Sequence, residues 1–174
     1  MPTLLVVIAL VAGAAYWLYR ARQAADTTRV VLDATHEVKA AARRFGFQTR
    51  ANQHPSEGVD DPRVTAAALL VLTAETDGGI SRAEQQAIME QLQSVFGMPE
   101  NEAEDLYLFS KWLASQSSNP DDMIRRLIKR TVHLGGRDTL PDLIQMVTHV
   151  GNADTGTLTD DTVNIVEKLK QLSH

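Results

Sequence analysis

Asp61-Pro62-Arg63-Val64-Thr65-Ala66-Ala67-Ala68-Leu69-Leu70-Val71-Leu72-Thr73-Ala74-Glu75-Thr76-Asp77-Gly78-Gly79-Ile80-Ser81-Arg82-Ala83-Glu84 holds one whole helix, a turn and the start of a second helix. Asp61 is a good N-cap, and Pro62 occupies the first helical position, where its missing N–H costs nothing. The apolar run Ala66 to Leu72 follows, and Asp77-Gly78-Gly79 stops it. Ser81 with Glu84 then spells a capping box for the next helix, with Ile80 placed as a hydrophobic staple.

The same punctuation continues downstream. Ile88, Leu92, Val95 and Phe96 form one face of the second helix before Gly97. A third is expected from Pro99 to Ala114, using Leu106, Phe109 and Leu113 with Tyr107 and Trp112 alongside. Asn119-Pro120 repeats the cap-then-proline start and leads to Met123, Ile124, Leu127, Ile128, Val132 and Leu134, up to Gly135-Gly136. Pro141 opens a fifth helix that closes near Gly151, and Thr159 opens a sixth that presents Val163, Ile165, Val166, Leu169 and Leu172. No segment alternates with the period of a strand. The expectation is an all-α protein whose residues 62–172 form a compact helical bundle.

Upstream, Ala25 to Phe45 places Val30, Val31, Ala34, Val38, Ala41, Ala42 and Phe45 at helical intervals. Residues 20–45 therefore read as a basic, amphipathic juxtamembrane helix. Residues 46–61, with Asn52, His54, Pro55, Ser56 and Gly58, read as a polar linker.

Pro2 to Tyr19 is an 18-residue uncharged run, and the first charged side chain is Arg20. As a helix it would cross about 27 Å, close to the thickness of a hydrocarbon core, so residues 2–19 read as a transmembrane helix. Ala12-Gly13-Ala14 has the look of a signal-peptide cleavage site, but the cations follow the apolar core instead of preceding it, which favours a retained anchor. Tyr16, Trp17 and Tyr19 fall where aromatic rings prefer the headgroup level. Between Arg20 and Arg50 there are seven basic and three acidic residues. By the positive-inside rule the N-terminus is then outside and the C-terminal domain cytoplasmic at the inner membrane, with lipid contacted through the N-terminal helix.

From Ala51 onward the chain has 10 basic and 19 acidic residues, a net of −9, which disfavours nucleic acid as a partner. Cysteine is absent, so disulfides, thiolate metal sites and a cysteine nucleophile are excluded. The five histidines show no zinc-binding spacing, and no phosphate-cradling glycine loop or dinucleotide fingerprint is present. No catalytic residue or cofactor is expected. Gly135-Gly136-Arg137 reads as a helix-to-helix turn, and Trp112, Tyr107 and Phe109 as packing.

The sharpest chemical candidate is a divalent-cation site in the first turn. Glu75, Asp77, Gly78, Ile80 and Glu84 match positions three, five, six, eight and twelve of a calcium-binding loop, but Thr73 stands at position one where a carboxylate is expected. Glu75, Asp77 and Glu84 are thus candidate metal ligands for a weak site. Turn and cap chemistry accounts for the same residues.

Ala66-Ala67-Ala68-Leu69-Leu70 through Glu75-Thr76-Asp77-Gly78-Gly79-Ile80-Ser81-Arg82-Ala83-Glu84 resembles the first half of a TerB-like tellurite-resistance domain, and Ala153-Asp154 through Thr159 echoes it before the last helix. The resemblance covers Pro62 to Leu172. Thr76 stands where alanine is usual, the second turn carries an insertion, and Thr162 stands where a second glutamate would align. The resemblance implies a helical, pseudo-two-fold domain associated with membrane-linked stress complexes. Such a domain behind one span is also similar to the front of membrane-anchored DnaJ-like co-chaperones, although the J-domain is missing and His54-Pro55-Ser56 lacks the signature aspartate. The functional expectation is a noncatalytic, membrane-anchored interaction module with an unidentified cytoplasmic or membrane protein partner. The alternative is a weak cation sensor through Glu75, Asp77 and Glu84.

Overall fold

A computed structural model describes residues 36–48, 53–76 and 78–173. The chain divides into two units, Met1–Glu37 and Val38–His174. Pro2–Tyr19 and most of the basic segment after it lie outside the described residues. Among the described residues no helix is long and apolar enough to cross a membrane.

The second unit is all-helical among its described residues. Residues 36–44 form α1, followed by α2 (Pro62–Ala74), α3 (Arg82–Phe96), α4 (Glu100–Ala114), α5 (Pro120–Gly135), α6 (Leu140–Gly151) and α7 (Asp160–Ser173). Single 3-10 turns at Pro55–Gly58 and Arg137–Thr139 precede α2 and α6. The six helices read from caps and glycines are α2 to α7, with ends displaced by one or two residues.

α2 is the axis of the bundle. Every residue from Val64 to Ala74 is buried, so the helix is covered on all sides by α3 to α7. A helix apolar all round belongs in a core. Its two buried threonines return their hydroxyls to the helix, Thr65 donating to the Pro62 carbonyl at 2.9 Å and Thr73 to that of Leu69 at 2.9 Å. Thr131 of α5 places its hydroxyl 2.7 Å from that of Thr65, a buried polar contact that fixes the register of the two helices.

The caps were written in the sequence. Asp61 accepts from the Arg63 N–H at 2.9 Å, and Asn119 accepts from the Asp122 N–H at 3.1 Å. At the start of α7, Thr159 accepts from the Thr162 N–H at 3.2 Å, matching Ser81 at the start of α3. At Gly151, α6 meets α7 so closely that a Cβ would fall 2.6 Å from the Thr162 methyl.

The segment read as juxtamembrane helix and linker contributes to the core. α1 ends in a Schellman motif, with Gly46 at φ 68 and the Phe47 N–H donating to the Ala42 carbonyl at 2.9 Å. That turn delivers Phe45 and Phe47 to α4: Phe45 stacks on Phe109 at 6.5 Å, and Phe47 meets Phe109 and Trp112 edge-on at 5.3 Å each. Ala41, Phe45, Ser56 and Val59 are buried. Arg130 of α5 holds the stretch from the other side, donating to the Val59 carbonyl at 2.9 Å and to Asp60 at 2.9 Å. The packed unit thus begins near Val38, some twenty residues before the first helix of the bundle proper.

Candidate functional site

The turn after α2 distributes the three expected cation ligands differently. Thr73 and Ala74 are still helical, so the stretch matched to the start of a calcium loop is part of α2. Glu84 is buried, and its Oε2 accepts the Ser81 N–H at 2.8 Å while the Ser81 Oγ accepts the Glu84 N–H at 3.2 Å. Its carboxylate is committed to the capping box. Glu75 forms the C-cap of α2. Partial burial raises its carboxyl above the ordinary range, opposed by the Lys111 ammonium. Asp77 lies outside the described residues. Among those described, no group of three His, Cys, Asp or Glu side chains is placed to hold a metal ion.

Glu75 borders a cleft of about 660 Å³ between the end of α2 and the starts of α5 and α7, with Asp121, Asp161 and Lys168 around it. Lys168 reaches Asp121 at 3.5 Å. Tyr107, buried nearby on α4, has its phenol raised by burial and then by the Glu75 charge.

A cluster of cations stands on α5, although the chain is acidic overall. Of the ten basic residues after Ala51, four fall between Arg125 and Arg130. At about 100° per residue, Arg125, Arg126, Lys129, Arg130 and His133 share one face of α5, opposite the buried Met123, Ile124, Leu127 and Ile128. With the Pro55–Gly58 turn this face walls a cleft of about 460 Å³.

These cations have separate tasks. Arg126 donates to Asp122 at 2.6 Å and approaches Glu57 at 3.4 Å, and Arg125 also pairs with Asp122. The hydrogen bond from Arg126, helped by Arg125, lowers the Asp122 carboxyl, and the same bond raises Arg126. Arg130 pins Val59 and Asp60. Lys129 and His133 make no ion pair among the described residues and face outward. Neither the apolar stripe of this helix nor the acidic total of the domain points to such a face. The signal was present as Arg125-Arg126 and Lys129-Arg130, two basic doublets four residues apart.

A family profile described as tellurite resistance protein TerB matches residues 63–172, which is more than half of the chain. No curated protein and no solved structure matches the chain.

Proposed function

We propose, from the premise that this chain belongs to the TerB family of tellurite resistance proteins, that it is a noncatalytic interaction module docking a protein partner at the inner membrane. One observation carries the reading: the outer face of α5 gathers five basic or histidine side chains on a domain whose remaining charge is mostly acidic. Segregated charge of this kind steers association and selects partners more than it stabilises a fold. Arg126 is partly spent on Glu57 of the Pro55–Gly58 turn, Arg130 on Val59 and Asp60 just after it and Arg125 on Asp122, which leaves Lys129 and His133 turned to solvent for a partner. The hydrophobic run Pro2–Tyr19 supplies the tether, with the domain on the cytoplasmic side, and tethering raises the partner's local concentration at the bilayer. A membrane-linked stress or tellurite-resistance assembly is the setting this implies.

Crosslinking with mass spectrometry in native membranes tests docking. A neighbour linked to α5 in the native chain should lose at least about 90% of its links in a variant carrying Lys129→Glu and His133→Glu, with unfolding unchanged within roughly 0.5 kcal/mol because both side chains are exposed and neither makes an ion pair among the described residues. Links that survive the double substitution would defeat the assignment of α5 as the docking face.

A further inference from the structure

Two grooves on this domain are opposites. Between α5 and α7 a groove of about 750 Å³ has Ile128 and Val132 at its base, and Arg125, Lys129 and Lys168 along its rim. Leu172 stands beside them, 38% exposed. Between α3 and α4 a groove of about 710 Å³ has Met89 and Tyr107 at its base, and Glu90, Glu100 and Glu104 along its rim. Leu108 stands there, also 38% exposed. Counting Asp121 in the first and Arg82 in the second, the grooves carry net charges of +2 and −2.

The pattern repeats at residue level. Lys168 lies one helical turn before Leu172, and Glu104 lies one turn before Leu108, so each exposed leucine has a charge beside it on the helix surface. Four large hydrophobic side chains are exposed among the described residues: Val95, Leu108, Val163 and Leu172. Two of the four therefore sit in these grooves. α3 packs chiefly on α2, α4 and α6, whereas α5 packs on α2 and the short turns, so the two grooves are built from separate helix pairs. Neither can be filled by the other within one rigid domain.

We infer that the surface covering the α5–α7 groove is the α3–α4 face of a second copy of this chain. Leu172 of one copy enters beside Leu108 of the next, with Lys168, Lys129 and Arg125 facing Glu104, Glu100 and Glu90. Apolar contact at the centre supplies the attraction, and the charged rim sets register and rejects like-to-like pairing of either groove with itself. Each copy retains one groove of each sign after pairing, so the contact is heterologous and can propagate along a membrane unless the rotation closes. The association needs no other protein, but it engages Arg125 and Lys129 of the docking face proposed above, so a copy joined this way is closed to that partner; Lys168 and Leu172 lie off that face and separate the two.

The absence of cysteine makes a direct test possible. Full-length chains with two different tags are co-expressed, one carrying Leu108→Cys and the other Leu172→Cys, and a short bismaleimide is added to the membranes. A mixed dimer bearing both tags is expected. Pairing Val95→Cys with Val163→Cys should give at most about one fifth of that yield, since those sites lie outside both grooves. Lys168→Glu in the Leu172→Cys copy should lower the mixed dimer at least fivefold, and Glu104→Lys in the other copy should restore it. Equal yields from both cysteine pairs would mean random collision and would overturn the inference. So would a Leu172→Cys link to a different protein, failure to link while both cysteines label freely, or reversal without rescue.

Discussion

Glu75 is held where its charge is least welcome. It caps the C-terminal end of α2, where the last carbonyls already present partial negative charge, and partial burial further disfavours its ionised form. Because its folded carboxyl is raised above the unfolded value, ionisation weakens the fold as pH rises through the window between them, and the penalty persists above it. Exposure to solvent and the opposing Lys111 keep the effect small. Glu75→Gln should accordingly stabilise the domain by about 0.3 kcal/mol at neutral pH, and the two chains should converge below about pH 4, where both carry a neutral side chain. Urea unfolding across pH measures this, and a destabilised glutamine variant would show that the carboxylate is making a contact worth keeping. Asp122 works in the opposite sense. Its carboxyl is lowered by Arg126 and Arg125, so its contribution is present above the ordinary aspartate range and fades as pH falls.

At the scale of the element, α2 tolerates the least change. Leu69 is fully buried on a helix that touches every later helix of the bundle. Leu69→Ala should cost about 3 kcal/mol, the lost transfer energy plus a cavity that rigid neighbours on all sides cannot close. Loss under about 1 kcal/mol would mean that the neighbours collapse inward and that α2 is not the rigid axis. α2 was also the most legible element, because cap, proline, apolar run and terminating glycines all sit within reach of one another in sequence. α3 to α7 were legible for the same reason. The packing of Phe45, Phe47 and Val59 was not, since their partners Phe109, Trp112 and Arg130 lie more than sixty residues away and the helical period that includes Phe45 does not say what covers it. The first turn shows the limit for sites. Asp77, Gly78 and Glu84 carry the same letters in a cation loop and in a helix stop followed by a cap, and only the placement of Glu84 against the Ser81 N–H assigns that carboxylate to the cap. The cationic face of α5 was missed for a different reason, because a charge total over the whole domain conceals where charges gather.

For the whole molecule, the question is where the folded unit begins. The family match starts at residue 63, whereas the packed unit starts at Val38. Between them lie most of α1, the aromatic lid on α4 and the stretch 55–60 held by Arg126 at Glu57 and by Arg130 at Val59 and Asp60. Removing this stretch uncovers Phe109 and Trp112 and leaves the α5 arginines without Glu57 and Asp60, although the freed chain regains conformational entropy that offsets part of the loss. A fragment of residues 62–173 should thus be less stable than one of residues 38–173 by about 2 kcal/mol, a small remainder of two larger opposing quantities. Both fragments lack Trp17, so Trp112 is the sole tryptophan and reports on that surface directly. Its emission should be red-shifted in the shorter fragment and its urea midpoint lower, while the longer fragment unfolds in one cooperative step. Coincident spectra and midpoints would show that residues 38–61 ride on the bundle without supporting it, and the domain would then begin where the family match does.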